Sequence, residues 1–336
     1  MTYEKIIDDF KKKIYVPVYL LMGENAYHID KITHFIQENF FEDEGVKEFN
    51  MDILYGKDSS VDQIVSLAKQ YPMMSNYRLV IIKEAQSIAK IADLAPYVQN
   101  PQKQTVLLLC YKYKSLDKRT LLYKAIDKMG GVFESPKIYD NQVSKYVKEI
   151  AAEKKFIIDN YTAELIASHI GTDLSRVDNE FNKFKNIIKE GASITPDLVQ
   201  EYIGISKEYN DFELVNAIWA KNAPKAYEII YHFQSNPKAY PIQKTIAVLY
   251  NSYMKLLNYH FAANKSNLKQ YNVFTAEAEK AFRYATTAYP YPIIMRIIHL
   301  LRMYDLKSKG FENCDTPDQE LLKELTFRII EGRYEG

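Results

Sequence analysis

Val18-Tyr-Leu-Leu-Met-Gly-Glu-Asn-Ala-Tyr-His-Ile-Asp30 is the stretch that decides the fold. Val18 to Met22 is a short apolar run that reads as a buried strand, and Gly23 breaks it. Ile29, Ile32, Phe35 and Ile36 then fall on one stripe, which predicts a helix. Strand, tight turn and helix make the place where a P-loop sits. A working P-loop reads G-x-x-x-x-G-K-[ST]: glycines let the backbone wrap phosphate, Lys supplies charge, and Ser/Thr holds magnesium. Here the turn reads Gly23-Glu24-Asn25-Ala26-Tyr27-His28-Ile29-Asp30, without the second Gly, the Lys or the Ser/Thr. Glu24 and Asp30 would repel phosphate. The stretch therefore predicts a nucleotide-binding scaffold that binds no nucleotide and needs no cofactor, with Gly23, Glu24, Asn25 and Asp30 as its degenerate loop.

At 336 residues, two or three domains are expected rather than one core. Charged residues make up 26% and hydrophobic ones 47%, as in ordinary soluble proteins. The net charge of +1 leaves no global nucleic-acid footprint, so any DNA contact must be a local patch. Two cysteines, Cys110 in an apolar run and Cys314, exclude a disulfide framework or a zinc knuckle. The segment Met1 to Ile14 is charged and lacks the apolar core of a signal peptide. No apolar run reaches the roughly 20 residues of a membrane span, so a cytoplasmic protein is expected.

The first part of the chain alternates strands and helices. Lys47 to Leu54 reads as a second strand, and Ser60-Val-Asp-Gln63 as a capping box opening a helix through Gln70. Arg78-Leu-Val-Ile-Ile-Lys83 is a continuous apolar strand, with a helix expected near Ala89 to Val98. Thr105-Val-Leu-Leu-Leu-Cys-Tyr111 is another, followed by a helix from Ser115 to Met129 and a short strand, Val132-Phe-Glu134. Such runs separated by helices imply a parallel sheet covered on both faces. This α/β domain spans 1–140.

From Asn141 no strand candidates remain. Short helices run to about Tyr202, with Gly171-Thr172-Asp173-Leu174 and Thr195-Pro196 as starts and Gly191 and Gly204 as stops. That predicts a small helical domain over 141–207. A larger all-helical domain, 208–336, follows with helices Phe212–Lys221, Pro224–Gln234, Pro241–Ala263, Thr275–Ala288, Pro292–Lys309 and Asp318–Glu331.

Five pieces in this order carry a resemblance. Val18-Tyr-Leu-Leu-Met-Gly-Glu-Asn resembles the opening strand and empty P-loop of the delta subunits of bacterial DNA polymerase III clamp loaders. Tyr71-Pro-Met-Met-Ser-Asn-Tyr-Arg-Leu-Val80 resembles their clamp-contact segment. Leu116-Asp-Lys-Arg-Thr-Leu-Leu-Tyr-Lys-Ala-Ile126, Gly171-Thr-Asp-Leu174, and Asp305-Leu-Lys-Ser-Lys-Gly310 with Leu321-Leu-Lys-Glu-Leu325 are similar too. The resemblance implies an AAA+ fold: a RecA-like parallel-sheet domain, a helical lid and a C-terminal helical collar that joins the subunits. It implies a non-hydrolysing part of a DNA-directed DNA polymerase holoenzyme that binds and opens the beta sliding clamp. Its partners would be that clamp, the gamma/tau ATPase subunits, the delta-prime subunit and primer–template DNA.

The site residues can be weighed against this. A working ATPase ends the strand Leu79–Ile82 with Asp-Glu, but Lys83-Glu84 stands here, and an isolated Glu84 reads as a solvated turn residue. Ser115-Leu-Asp-Lys-Arg119 lacks the Ser-Arg-Cys motif that carries the arginine finger of clamp-loader ATPases. Met73 and Met74, after Pro72, either fill the core beneath a loop or project outward, and sequence alone favours core packing. The resemblance reverses this: the family drives a hydrophobic pair in this segment into a pocket on the clamp, and methionine suits such a pocket. Lys112, Lys114, Lys118 and Arg119, interleaved with Tyr111 and Tyr113, are either a solvated helix start or a DNA-phosphate patch. Near the Asp305–Gly310 motif, the resemblance puts an aromatic against the primer–template junction, making Phe311 and Lys309 candidates, with Tyr304 as fallback. The six histidines form no catalytic or metal constellation. A competing reading is an atypical P-loop-like NTPase or nucleotide switch.

Overall fold

The computed structural model describes every residue except 264, 266, 267, 272, 312–314, 335 and 336, and describes 269 and 270 by backbone alone. Cys314 lies outside the described residues. The chain divides into two compact units, Met1–Tyr139 and Asp140–Gly336.

The first unit contains α1 (Tyr3–Lys11), β1 (Val18–Gly23), α2 (Ala26–Asn39), α3 (Glu44–Asn50), β2 (Met51–Tyr55), α4 (Val61–Ala68), β3 (Arg78–Lys83), α5 (Ala95–Gln99), β4 (Thr105–Lys112), α6 (Leu121–Lys128) and β5 (Val132–Ser135). The five strands form one sheet in the order β2-β3-β4-β1-β5, and every pairing is parallel. The apolar runs explain this. All of β1 is buried, so it needs cover on both faces, which crossover helices supply. Side chains alternate across the sheet. Leu20, Met22, Val80, Ile82, Leu107 and Leu109 pack into one core layer. Tyr19, Leu21, Leu79, Ile81, Leu108 and Cys110 pack into the other, against Ile29, Ile32 and Ile36 of α2. Burial pushes the Cys110 thiol up to about 11.

Local chemistry moved several boundaries. Strand β2 starts at Met51 instead of Lys47, because Asp43 caps α3 by accepting the Val46 N–H at 2.9 Å. The helix expected from Ser115 begins at Leu121, where the Thr120 hydroxyl accepts the Tyr123 N–H. Residues 115–119 are instead a loop, with Arg119 turned onto Asp117. The helix expected over Ala89–Val98 is broken into a 3₁₀ turn at Ile91–Leu94 and α5, after Lys90 takes a left-handed φ of 56°. The cap at Ser60 is as expected: its hydroxyl accepts the Gln63 N–H.

The second unit contains α7 (Asp140–Glu153), β6 (Ile157–Ile158), α8 (Asn160–Ile170), α9 (Leu174–Phe184), β7 (Ser193–Ile194), α10 (Pro196–Ile203), α11 (Asp211–Trp219), α12 (Ala223–Ser235), α13 (Ile242–Phe261), α14 (Ala276–Ala288), α15 (Tyr291–Ser308) and α16 (Asp318–Glu331). One expectation fails here. Two strands do occur after Asn141, β6 and β7, paired in parallel as a two-residue ribbon too short to show a sequence period. The helices from α11 onward share one core, built on Trp219, Tyr253, Phe282, Tyr289 and Tyr304. Tyr289 donates its hydroxyl to the Ile218 carbonyl at 3.1 Å. That core takes up most of the apolar faces of α13 and α15: Ile246, Leu249, Leu256, Ile297 and Leu301 are all buried. Tyr250 and Met295 stay exposed and line a groove between these two helices.

Candidate functional site

The ends of a parallel sheet are chemically distinct. The carboxyl ends of β1, β3 and β4 lie together at Gly23, Lys83 and Lys112, where open α/β sheets place their ligands. Gly23 has a φ of +135°, and a Cβ there would stand 2.5 Å from the Ser135 carbonyl oxygen. The close approach of β5 thus demands glycine with no phosphate present. Asn25 caps α2 itself, accepting the Tyr27 N–H at 2.9 Å, and so occupies a helix end that would otherwise face an anion. Glu24 pairs with Lys137 at 2.9 Å.

Lys112 closes this edge. It shares a sheet face with Cys110, over which Thr33 of α2 packs at 3.1 Å. Two residues further along β4 and one helical turn earlier on α2, Lys112 meets Asp30, Nζ to Oδ1 at 2.5 Å. Glu84 approaches the same ammonium at 3.3 Å, and Gln86 binds both the Lys112 N–H, at 2.9 Å, and Glu84. Glu84 is therefore not the free turn residue the sequence suggested. It sits at a left-handed φ of 54° inside an ion cluster. Lys83, where a magnesium ligand would stand, lies 6.0 Å over the Tyr55 ring. An internal ammonium thus occupies the junction where a nucleotide enzyme needs a metal and a phosphate-binding lysine. Among the described residues no cluster could hold a metal.

Burial pulls the Lys112 ammonium down, but the hydrogen bond and charge of Asp30, with Glu84, outweigh it and leave its pKa raised. A raised pKa stabilises the fold fully below lysine's ordinary value, and the contribution is lost only as pH rises through the folded value. The cluster is thus intact at neutral pH. Replacing Lys112 by Met strands two carboxylates. Asp30 is half-exposed, so the expected loss is about 1–3 kcal/mol, between that of a surface pair and a buried one. Urea unfolding at pH 7 measures it, and the difference from the native chain should shrink above the ordinary lysine pKa.

The amino ends of the sheet carry the other site. Since β2 and β3 are parallel with Met51 opposite Leu79, the end of α3 and the loop before β3 lie side by side. In that loop Met73 is 57% and Met74 93% exposed, so neither fills the core, contrary to the reading from sequence alone. Pro72 is partly buried, and Tyr71 and Phe49 are exposed as well. The backbone is held firmly. Asn50, fully buried at the end of α3, accepts the Met73 N–H and donates to the Met73 carbonyl, both at 2.7 Å. Arg78 donates to the Phe49 carbonyl at 3.1 Å and pairs with Asp52 at 2.5 Å. Sequence reasoning missed Asn50 and Arg78. The one available signal was a polar residue at each strand start, Arg78 one position before the Leu79 that faces Met51.

The basic residues are scattered rather than gathered. Lys112 is turned inward, as described. Lys114 lies 5.6 Å over the Tyr111 ring, Lys118 pairs with Glu134 at 2.8 Å, and Arg119 pairs with Asp117 at 2.7 Å. The Arg119 hydrogen bonds pull Asp117 down to about 2. In the second unit Lys309 pairs with Asp305 at 2.6 Å, and Phe311 is 59% exposed. Tyr304 is fully buried in the helical core, which removes it as an outward-facing aromatic.

A five-stranded parallel sheet with a degenerate nucleotide loop, followed in the chain by a helical unit, gives the AAA+-like fold expected from the sequence. A sequence model of the family described as DNA polymerase III, delta subunit, matches residues 19–135, from β1 to the end of β5. The DNA polymerase III subunit delta of Bacillus subtilis (strain 168) is 26% identical over 259 residues, covering 74% of each chain. The solved structure of the Bacillus subtilis DNA clamp loader delta protein (YqeN) aligns over 98% of this chain and all of its own, with a TM-score of 0.51 and 23% identity. The resemblance carried by the sequence motifs is met again in these comparisons: the chain is similar to DNA polymerase III delta subunits, over residues 19–135 in the family model and over 259 residues in the Bacillus subtilis protein.

Proposed function

We propose that this chain is the delta subunit of a clamp loader, which binds and opens the beta sliding clamp so that it can be loaded on primed DNA. It does so in the cytoplasm without hydrolysing ATP. The observation that carries the reading is the exposed Met73–Met74 pair on a fixed backbone, at the sheet edge opposite a closed nucleotide loop. Pro72, Met73 and Met74 are the clamp contact in this reading. Apolar side chains presented to water contribute nothing to the free fold and gain their burial on a partner. Replacing both methionines by Ser should weaken clamp binding by about 2–4 kcal/mol, the scale of buried interface anchors. Calorimetry with the sliding clamp of the same organism measures it. Unchanged affinity would overturn the assignment.

The closed carboxyl edge supports the non-catalytic part. With Lys112 committed to Asp30 and Glu84, the lysine at the centre of this edge is not available to a triphosphate. The isolated chain should give no heat with magnesium-ATP and no phosphate release. Micromolar, magnesium-dependent binding would favour the nucleotide-switch reading instead.

The gamma/tau and delta-prime subunits are then the assembly partners, met through the collar within 208–336. The groove flanked by Tyr250 and Met295 supports this, being apolar surface that the collar's own core leaves open. Lys114, Lys118, Arg119, Lys309 and Phe311 are its candidates for DNA contact, and Lys112 is the least suited of the basic residues. A chain cut after Tyr139 ends at the boundary of the first compact unit. It should keep clamp binding and lose co-purification with the ATPase subunits; retained assembly would move that surface onto the α/β unit.

A further inference from the structure

Asn50 takes no part in the sheet and is hidden from solvent, yet its side chain makes three hydrogen bonds. Its Oδ1 accepts the Met73 N–H at 2.7 Å, while Nδ2 donates to the Met73 carbonyl at 2.7 Å and to the Val46 carbonyl at 2.8 Å. The carboxamide thus meets Met73 as a neighbouring strand would, through both backbone groups of one residue. Only a carboxamide offers donor and acceptor in that fixed pair, and its second N–H ties the arrangement to the last turn of α3. The next residue, Met74, is held at a left-handed φ of 54°, a conformation that a side chain makes unfavourable and that surrounding contacts must impose. At the far end of the loop Arg78 bonds Phe49 and Asp52, flanking Asn50 on both sides. The short segment from Met73 to Arg78 is therefore fastened at both ends to one junction, while the Met74 side chain stands almost wholly in water.

We infer that Asn50 is the positioning residue of this loop: its pairing with the Met73 backbone holds Met73 and Met74 in the conformation in which they enter a partner's pocket. The inference rests on the reading of those methionines as the clamp contact. Fixing the loop beforehand removes its ordering from the binding step. Loss of Asn50 should therefore weaken binding without altering any atom that touches the clamp.

The test uses the full chain in four forms: native, Asn50→Ala, Asn50→Asp, and Met73→Ser with Met74→Ser. Hydrogen exchange of the Met73 amide is followed in each free protein, and the dissociation constant for the sliding clamp in each complex. In Asn50→Ala the Met73 amide should exchange at least about tenfold faster and clamp affinity should fall about tenfold, while β3 and β4 amides keep their protection. Asn50→Asp keeps an acceptor for the Met73 N–H but turns a buried carboxylate oxygen onto the Met73 and Val46 carbonyls, and should free the amide and weaken binding at least as much as Asn50→Ala. The double serine variant should keep the slow Met73 amide and lose clamp affinity. If Asn50→Ala frees the amide but binds clamp like the native chain, while the serine variant is weakened, the positioning role is overturned and the contact stands. If the serine variant also binds normally, the contact reading falls and takes the inference with it. Should Asn50→Ala also lose protection in β3, Asn50→Gln, which keeps the carboxamide one methylene further out, decides by the same criteria.

Discussion

A sheet of parallel strands buried on both faces leaves function to its two ends, and in this chain everything turns on how those ends are treated. At the carboxyl ends, the register that sets Gly23 beside Lys112 also brings that lysine under α2 and beside Glu84. One ammonium then satisfies two carboxylates contributed by different crossovers. Those carboxylates would repel a triphosphate if left bare, and the lysine neutralises part of their charge. At the place where a nucleotide enzyme keeps its phosphate-binding groups, this chain has a structural ion cluster.

The amino ends receive the opposite treatment. There, buried polar groups are spent on the backbone instead of on each other. Asn50 and Arg78 fasten the loop before β3 to the end of α3, and the apolar side chains that a core would normally claim are left outside. The α/β unit thus spends its polar groups on an ion cluster at one edge and on a fixed loop backbone at the other, where the methionines stand in water.

How much of this was legible in the sequence depends on the range of each interaction. Strands β1, β3 and β4 were readable because continuous apolar runs bounded by Gly, Pro or charge are local signals. The empty loop was readable because the missing residues define the motif. Lys112 was misread with its basic neighbours Lys114 and Lys118, since its role depends on α2, remote in sequence. Strand alternation held a clue: Lys112 falls on the face of Leu108 and Cys110, the side α2 covers. Asn50 stood inside a segment read as strand, and the cap at Asp43 that makes it the end of a helix was overlooked. The ribbon of β6 and β7 is too short for any periodic signal.

The division between a fixed backbone and pliant side chains explains why methionine suits the loop. An exposed leucine or phenylalanine pair would be stiffer and would make a more persistent apolar patch on the free chain. Methionine has more rotatable bonds and a polarizable sulfur, so it can fit a pocket whose exact shape forms on contact. Left on a floppy loop, that freedom would multiply with backbone freedom, and both would have to be lost on binding. With Asn50 fixing Met73 and a left-handed turn fixing Met74, only side-chain rotamers remain to be chosen. Adaptability is thereby confined to the methionine side chains, the atoms that would meet the clamp in the reading proposed above.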